Sequence, residues 1–232
     1  MAEKTKFWYL KNINIFDGMD DVQMKQVEKM TTMTHVEKHQ PIYFPEQSAS
    51  GGNNIYFLKE GHVKLSRLHE DGREIILDVL GPGEMFGELS IVEEDSRKEI
   101  AEALDGVLIC TMSKHDFEAM LMHNPELNLR MTKWIGLRLR RFEEKMSELA
   151  FKDVTKRIIS FLIRYAEDFG KIKGGVVSIK SFLSHQEIAY LTATSRQTVT
   201  TVLNDLKSRN LIDFTRKELL IKNFDRLRHL SR

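Results

Sequence analysis

The segment 183–206, LSHQEIAYLTATSRQTVTTVLNDL, constrains the fold most, because it predicts two short helices joined by a tight turn. Ser184 followed three residues later by Glu187 is a capping box, in which the hydroxyl and the carboxylate bond free backbone N–H groups at the helix start. Thr192 and Thr194, which are both poor helix formers, then favour a turn at 192–194. The first helix therefore begins beside Ser184 and ends before this turn.

A second helix follows, with either Ser195, or Thr194 together with Gln197, as its cap. Its apolar residues recur at three- and four-residue spacing and predict a buried stripe formed by Val199, Val202, Leu203 and Leu206. The outer side is left with Arg196, Gln197, Thr198, Thr200 and Thr201. In a helix-turn-helix the start of the second helix faces base edges in the major groove. Because arginine suits guanine and glutamine suits adenine, the segment predicts DNA binding; a helical hairpin in a core would not need this polar cluster.

The charge distribution agrees with that interpretation. Residues 151–232 contain 16 Lys and Arg against 8 Asp and Glu, whereas residues 1–150 contain 19 against 26. A basic region that coincides with a helix-turn-helix is the electrostatic footprint of a DNA-binding domain. We therefore expect double-stranded DNA to bind the C-terminal third of the chain, while the acidic remainder stays away from it.

Length and composition limit the remaining possibilities. A chain of 232 residues holds one large or two modest domains, and 41% hydrophobic with 30% charged residues is typical of a soluble globular protein. The sequence has no apolar run that predicts a signal peptide or a membrane span. The single cysteine, Cys110, excludes an internal disulfide. The expected location is the cytoplasm.

The N-terminal half predicts a helical stretch followed by many short strands. Residues 8–30 read as helical, with Asp20 as a cap and Val22, Val27 and Met30 at apolar positions. Strand-like alternation begins near Thr32, and the following β-rich runs are 40–44, 54–58, 62–68 and 74–79, separated by turn residues. Strands continue to about residue 112 and a short helix covers 115–122. This pattern predicts a sandwich or barrel.

The segment 83–104, GEMFGELSIVEEDSRKEIAEAL, contains a candidate ligand cradle. Glycines at a turn expose backbone N–H groups to an anion, Glu88 offers acceptors for ligand hydroxyls, and Arg97 suits a phosphate. Glycines at strand ends are also ordinary turn residues. A dinucleotide site is not predicted, because no long helix follows the glycines.

Residues 125–149 predict one long helix. The apolar positions with intervals of 4, 4, 3, 4 and 3 residues are Met131, Ile135, Leu139, Phe142, Met146 and Leu149. Such a seam is typical of paired helices and predicts a homodimer; a buried helix in a monomer is the alternative. Leu127 and Trp134 lie off the seam and are expected to pack on the β domain.

A hinge is predicted at 151–153, with Asp153 capping a helix that runs to about Phe169. Residues 170–175 are expected to form a flexible loop. After the helix-turn-helix, two strands at 211–214 and 218–221 flank Arg216 and Lys217, which predicts a wing with a basic tip, and 224–230 form a closing helix.

Together these features resemble the CRP/FNR superfamily of bacterial transcription regulators. The similarity covers the chain from about residue 13, and its strongest parts are GELSIVEED at 87–95, NPEL at 124–127, LAFKDVTKRI at 149–158 and TSRQTVTTVL at 194–203. The resemblance implies an α+β chain with a cyclic-nucleotide-binding-like β-roll (jelly-roll-like) over residues 1–123, a long dimerisation helix over 124–150 and a winged helix-turn-helix over 151–232. It also implies a homodimer that binds a near-palindromic DNA site and recruits or blocks RNA polymerase.

The resemblance implies an effector site as well. Gly87, Glu88, Leu89 and Arg97 match the cyclic-AMP-responsive branch, but Lys98 and Glu99 stand where that branch has a hydroxyl residue and a small residue. Its adenine-contacting Thr-Ser pair corresponds here to Phe142 and Glu143. Because an added carboxylate opposes anion binding, we expect an effector other than cyclic AMP, or none. A cyclic-AMP-dependent regulator, and an effector-binding subunit of a partner protein, are the alternatives.

The recognition helix departs from the family too, which commonly has Arg-Glu-Thr and a later Arg where this chain has Arg196-Gln197-Thr198 and Thr201. We therefore expect a different half-site. The predicted DNA-binding residues are Ser184, Ser195, Arg196, Gln197, Thr198, Thr200, Thr201, Arg216 and Lys217.

Other chemistries have little support in the sequence. The iron–sulfur branch needs several N-terminal cysteines, which this chain lacks. No metal or haem site is predicted, because the spacing expected of metal ligands is not found among His35, His39, His62, His69, His115 and His123. Cys110 with His115 and Asp116, expected in a strand-to-helix connection, is the nearest arrangement to a catalytic one, and a buried thiol with a surface histidine explains it. No enzyme activity is predicted.

Overall fold

We analysed a computed structural model, which describes residues 6–45, 54–70, 72, 74–92, 98–173, 175–180, 183–215 and 218–231. Their contacts form two compact units, one through Leu139 and one from Arg140 onward. Among the described helices, none is both long enough and apolar enough to cross a membrane. The functional division at 123/124 and 150/151 stays a prediction.

The described residues of the first unit form short helices and eight strands. Its helices are α1 (Lys6–Leu10), α2 (Asp21–Met30), α3 (Leu89–Val92), α4 (Lys114–His123) and the start of α5 (Pro125–Phe151), and a 3-10 turn covers Asn14–Phe16. Its strands are β1 (Thr31–Val36), β2 (Pro41–Tyr43), β3 (Asn54–Glu60), β4 (Val63–Leu68), β5 (Glu74–Leu80), β6 (Met85–Phe86), β7 (Ile100–Ala103) and β8 (Val107–Ser113). These ranges confirm every predicted strand run.

The strands form two antiparallel four-stranded sheets, in the orders β1-β8-β3-β6 and β2-β7-β4-β5. Apolar side chains of both sheets meet in one core, which includes Leu58, Leu65, Phe86 and Ala101. The other face of the first sheet is covered by helices, where Phe57 of β3 packs with Phe16, Phe117 and Leu127. Because alternate residues of a strand point to opposite faces, β3 contributes to both cores. This is the β-roll that the resemblance implies.

The helical stretch predicted at 8–30 is broken into α1, the 3-10 turn and α2. Gly18, at φ +78°, lies against the Arg130 guanidinium in the break. Asp20 caps α2 as predicted, because its side chain accepts hydrogen bonds from the Val22 and Gln23 backbone N–H groups. The assignment of Val22 to the apolar face was wrong: it lies in the first turn, beside the cap, and is 69% exposed.

Helix α5 confirms the predicted long helix, and Leu127 and Trp134 pack on the β-roll as expected. Met131, however, was wrongly placed on the seam. It is only 7% exposed and belongs to the core of the first unit. The spacing gives the reason. A heptad seam alternates intervals of three and four residues, but the intervals from Met131 to Ile135 and from Ile135 to Leu139 are both four residues. The regular alternation therefore starts at Ile135.

The second unit contains the end of α5, four further helices and a small sheet. The helices are α6 (Val154–Phe169), α7 (His185–Leu191), α8 (Arg196–Ser208) and α9 (Phe224–Leu230), and the strands are β9 (Lys171–Lys173), β10 (Val176–Lys180), β11 (Ile212–Phe214) and β12 (Glu218–Ile221). The strand order is β11-β12-β10-β9. The predicted loop at 170–175 is therefore a β-hairpin, in which Ile172 pairs with Val177. The hairpin was missed because β9 has three residues, too few to show alternation.

Candidate nucleic-acid interface and effector cradle

The first helix of the pair begins at the predicted capping box. The Glu187 backbone N–H donates to Ser184 Oγ over 3.2 Å, and the Ser184 backbone N–H donates to Glu187 Oε2 over 2.7 Å. Inside α7, Ile188 and Ala189 are fully buried. The box fixes the residue at which α7 begins, so the sequence prediction is confirmed.

The turn at 192–194 is held by hydrogen bonds back to α7. The Thr192 hydroxyl donates to the Ile188 carbonyl over 2.7 Å, and the Thr194 backbone N–H donates to the Ala189 carbonyl over 2.9 Å. Ala193 adopts φ +49°, the left-handed conformation that reverses the chain. The predicted turn is confirmed.

Ser195 caps α8, because its Oγ accepts a hydrogen bond from the Thr198 backbone N–H over 3.1 Å. The two alternatives for the cap are thereby decided in favour of Ser195. The stripe of Val199, Val202, Leu203 and Leu206 is buried as predicted. Burial of this stripe leaves the N-terminal turn of α8 with its polar side chains outward.

Those outward side chains differ in whether they already make hydrogen bonds within the protein. The Thr201 hydroxyl donates to the Gln197 carbonyl over 3.1 Å, and the Thr198 hydroxyl is 2.8 Å from Ser195 Oγ. Arg196 and Gln197 are exposed, and neither side chain has a hydrogen-bond partner within the described part of the chain. Arg196 and Gln197 can therefore bind a ligand without breaking a hydrogen bond among the described residues. The DNA contacts of these two residues and of the threonines stay predictions.

His185 belongs to this surface, although the sequence did not single it out. Its Nδ1 lies 2.8 Å from Thr200 Oγ1, and its ring contacts the Phe214 ring edge-on at 5.6 Å. Nothing in the spacing of charged or apolar residues marks position 185. Only its place next to the cap Ser184 hints at a functional role.

Arg157 on α6 connects the end of the long helix to the turn. Its guanidinium donates to the carbonyls of Lys152, Thr192 and Ala193 over 3.0, 3.1 and 3.2 Å. Hydrogen bonds from a charged donor contribute more to stability than neutral ones. One side chain thus ties the hinge before Asp153 to the turn of the helix-turn-helix.

Replacement of Arg157 by Met should loosen this turn. Three carbonyls lose their donor, so we expect the local free energy of unfolding to fall by about 2–3 kcal/mol, and amide exchange in α7 and the start of α8 to accelerate accordingly. Hydrogen-exchange mass spectrometry measures this directly. Arg226→Met, a change at an exposed position of α9, is the control and should leave the turn unchanged; equal exchange in both variants would contradict the role of Arg157.

Charged groups surround the predicted hinge. Glu148 near the end of α5 accepts from Arg164 over 2.6 Å and from Lys152 over 3.0 Å, and Lys152 also donates to Ser160 Oγ over 2.7 Å. Burial alone would raise the pKa of Glu148, but the two cations outweigh it and hold the pKa below its usual value. Asp153 caps α6 as predicted.

The wing consists of β11 and β12, confirming the two predicted strands. Arg216 and Lys217, the predicted basic tip, lie outside the described residues. At the base of the wing Asp213 accepts from Lys207 over 2.6 Å. The role of the tip in binding DNA stays a prediction.

In the first unit, Glu88 of the predicted cradle already has a cationic partner within the protein. Gly87 has φ +81° and Glu88 is 6% exposed. Arg138 of α5 donates to Glu88 Oε1 over 2.7 Å and lies 5.1 Å above the Trp134 ring. Burial raises the pKa of Glu88, with Arg138 acting in the opposite direction. Arg138 was not among the predicted site residues.

A second buried carboxylate lies at the other end of the cradle. Glu99 is 5% exposed and accepts a hydrogen bond from the Tyr43 hydroxyl over 2.6 Å. Tyr43 stacks with Tyr56 at 5.5 Å in the core between the two sheets, and Glu99 and Glu88 are close enough to repel each other. The cradle thus holds two carboxylates.

The remaining predicted effector residues are Leu89, Arg97, Lys98, Phe142 and Glu143. Lys98 and Leu89 are exposed, and Arg97 lies outside the described residues. Phe142 and Glu143 lie on α5 in the second unit, where Phe142 is 59% exposed. Their contact with an effector stays a prediction.

The exposed apolar stripe of α5 begins at Ile135, the second residue of the predicted seam. With Met131 in the core, the exposed apolar stripe consists of Ile135, Leu139, Phe142, Met146 and Leu149, each between 45% and 59% exposed. Apolar side chains at this spacing form the interface of paired helices. This stripe on α5 is available for a partner.

The described residues contain no group of three or more His, Cys, Asp or Glu side chains that could hold a metal ion. His39 stands in a turn at φ +64°, so it forms no helical pair with His35 of β1. Cys110 was wrongly placed in a connection: it lies inside β8 and is fully buried, whereas His115 is 91% exposed on α4. The thiol is a core residue.

Comparison with known proteins agrees with this geometry. The family description "Cyclic nucleotide-binding domain" matches residues 33–124, and "Crp-like helix-turn-helix domain" matches residues 156–230. The chain is 30% identical to the CRP-like cAMP-activated global transcriptional regulator of Mycobacterium tuberculosis, over 96% of this chain and 98% of the relative. It is 34% identical to the global nitrogen regulator of Synechocystis, over 81% of this chain and 83% of the relative.

These matches define a two-domain regulator with a cyclic-nucleotide-binding-type domain and a helix-turn-helix. The chain belongs to the CRP/FNR superfamily of transcription regulators, whose members bind DNA and are not enzymes. A solved structure of a CooA mutant from Carboxydothermus hydrogenoformans shares the fold, with a TM-score of 0.73 at 24% identity over 99% of this chain and 97% of the other. FixK2 from Bradyrhizobium japonicum aligns with a TM-score of 0.75 at 20% identity over 87% of this chain and 98% of the other.

Proposed function

We propose that the protein acts as a homodimer on a near-palindromic DNA site and that a small effector other than cyclic AMP modulates it. The observation that carries the proposal is the pair of exposed side chains Arg196 and Gln197 at the start of α8, which have no hydrogen-bond partner among the described residues. A two-fold dimer would present two such helices to half-sites about one helical turn apart. Recruitment or blocking of RNA polymerase, and a cytoplasmic location, follow from that role.

The dimer is supported by the exposed stripe of α5. Monomeric soluble proteins rarely leave large contiguous apolar patches in water. The five side chains keep strict three- and four-residue intervals, which suits the same stripe of a second copy in a parallel pair. Self-association of α5 thus explains why these residues are apolar.

The effector proposal rests on the cradle. Glu88, which would bind ligand hydroxyls in a cyclic-AMP-type site, is held by Arg138, and Glu99 places a second carboxylate nearby. An anionic ligand would meet repulsion at the Glu99 end. The relative from Mycobacterium tuberculosis is cAMP-activated, so cyclic AMP dependence is the second candidate.

The proposed mechanism uses α5 as the moving element. An effector that displaces Arg138 from Glu88 would release α5 at that point, and a shift of the seam would change the spacing of the two recognition helices. An effector acts only through its different affinities for the two arrangements. Because Glu148, Lys152 and Arg157 tie the end of α5 to α6 and the turn, such a shift would move the whole second unit.

Replacement of Glu99 by Gln should make the cradle accept cyclic AMP. The amide keeps an acceptor for Tyr43 but removes a charge, and one charge about 6 Å away changes a binding energy by roughly 3 kcal/mol at an effective dielectric of about 20. We expect cyclic AMP to bind at least about tenfold more tightly than to the wild type, measured by calorimetry.

The matched control is Glu102→Gln. Glu102 lies on β7, where its side chain pairs with Lys64 and not with the cradle. It should leave cyclic AMP binding unchanged. Tight binding of cyclic AMP by the wild type, or no gain in the Glu99 variant, would contradict the proposed exclusion.

Native mass spectrometry of freshly purified protein tests the proposed function as a whole. We expect a dimer that binds one DNA duplex, with any retained effector visible as added mass. A bare monomer would contradict the use of the α5 stripe, and a retained cyclic AMP mass would favour the second candidate. An effector-binding subunit of a partner protein, the remaining alternative, would show no DNA binding that weakens with salt.

A further inference from the structure

We infer that His185 is a pH-sensing residue of the DNA-binding surface, which strengthens DNA binding when its imidazole is protonated. The inference rests on the proposed use of α8 to bind DNA. It adds a response to protons that is separate from the effector cradle.

The hydrogen bonds around His185 favour one tautomer of the neutral ring. The Thr200 hydroxyl has one proton and lies 2.9 Å from the Arg196 carbonyl, to which it can donate. When it does so, Thr200 Oγ1 accepts from His185 Nδ1, which is 2.8 Å away. In this tautomer Nε2 is the nitrogen that becomes protonated.

The same contacts place the ring on the recognition surface. Thr200 lies one turn beyond Arg196 on α8, and its hydroxyl links the His185 ring to the Arg196 backbone. His185 is partly exposed, between the exposed start of α8 and the Phe214 ring of β11. Thr200, whose contact with DNA stays a prediction, connects His185 to the backbone of Arg196.

The charged groups around the ring come from three elements. On α8, Arg196 is near enough to repel a protonated ring. On β11, Asp213 is paired with Lys207 and Lys222. On α7, Glu187 is bonded to the Ser184 backbone. Burial first and Arg196 second thus lower the pKa of His185, so the ring is mainly neutral near pH 7 in the free protein.

Bound DNA reverses this balance. Phosphate groups attract a cation and partly neutralise Arg196, so the pKa of His185 rises in the complex. A group that is neutral in the free protein and charged in the complex takes up a proton on binding. Affinity must then increase as pH falls, and by linkage each unit of pKa difference corresponds to about a tenfold change per ring.

The test compares variants of the full-length protein on a duplex that the wild type enriches from a random pool, at fixed salt, between about pH 8 and about pH 5.5. We expect the wild type to bind at least about tenfold more tightly at the lower pH. The DNA affinity of His185→Gln should be nearly independent of pH and close to that of the wild type at about pH 8. The DNA affinity of His185→Arg, which is permanently charged, should also be nearly independent of pH but close to that of the wild type at about pH 5.5.

His229→Gln is the control, because His229 is exposed on α9 in the same unit; it should keep the wild-type slope. A wild-type slope that survives in His185→Gln or in His185→Arg overturns the inference. The arginine variant protects the test against a glutamine variant that folds poorly. If the wild type enriches no duplex and binds no DNA at any pH, the proposed function fails, which is distinct from DNA binding without a His185-dependent slope.

Discussion

Replacement of Leu139 by Glu is expected to convert the protein from a dimer to a monomer. Leu139 is the second of the five residues in the exposed stripe of α5 and is 56% exposed in the single chain. In a two-fold dimer both copies would meet near the axis. Loss of two buried leucines costs about 3–6 kcal/mol, and two carboxylates at the same place repel each other. The dissociation constant of the dimer should therefore rise by about a hundredfold to ten-thousandfold.

Sedimentation of the two proteins over a concentration series measures this effect. Leu137→Glu is a matched control, because Leu137 is 61% exposed on the same helix but lies two residues away, off the stripe. It should remain dimeric. A dimeric Leu139→Glu protein, or a monomeric Leu137→Glu protein, would show that another surface holds the copies together.

Replacement of Arg196 by Ala is expected to abolish discrimination at one base position of each half-site. A bidentate contact of this kind accounts for about 1–3 kcal/mol, and a dimer loses two of them. The specific affinity should therefore fall by a factor between about thirty and about ten thousand. Affinity for random DNA should fall only by the effect of losing one cation from each protomer. The ratio between specific and random affinity is therefore the informative quantity.

Arg209→Ala provides the control for charge. Arg209 follows the C-terminal end of α8 and is paired with Asp205, so it carries the same charge away from the predicted reading end. Its loss should weaken specific and random binding equally. If Arg196→Ala behaves in the same way as Arg209→Ala, Arg196 does not read a base.

The helices of the second unit were predictable because their signals are local. Ser184 with Glu187, Asp153 and Ser195 each satisfy backbone groups within three residues, and the apolar stripe of α8 repeats over only two turns. A single sequence contains all of this information. The same holds for the strands of the β-roll, whose turn residues separate alternating runs.

The errors arise where a tertiary contact decides the outcome. Met131 has the side chain of a seam residue, and only its packing against the β-roll removes it from the stripe. Arg138 and Arg157 resemble any other helix-surface arginines in sequence, yet one holds Glu88 from fifty positions away and the other reaches the turn from thirty-five. His185 is recognisable only once Thr200 is seen beside it.

Selection of duplexes from a random DNA pool by the full-length protein tests the central claim most directly. We expect an enriched, near-palindromic site with two half-sites centred one helical turn, about 10 base pairs, apart. We also expect a half-site other than TGTGA, the usual half-site of the cyclic-AMP regulators, because Gln197 and Thr201 stand where the family commonly has Glu and Arg. Enrichment of no sequence, or of a single half-site without its inverted copy, would contradict a dimeric sequence-specific regulator.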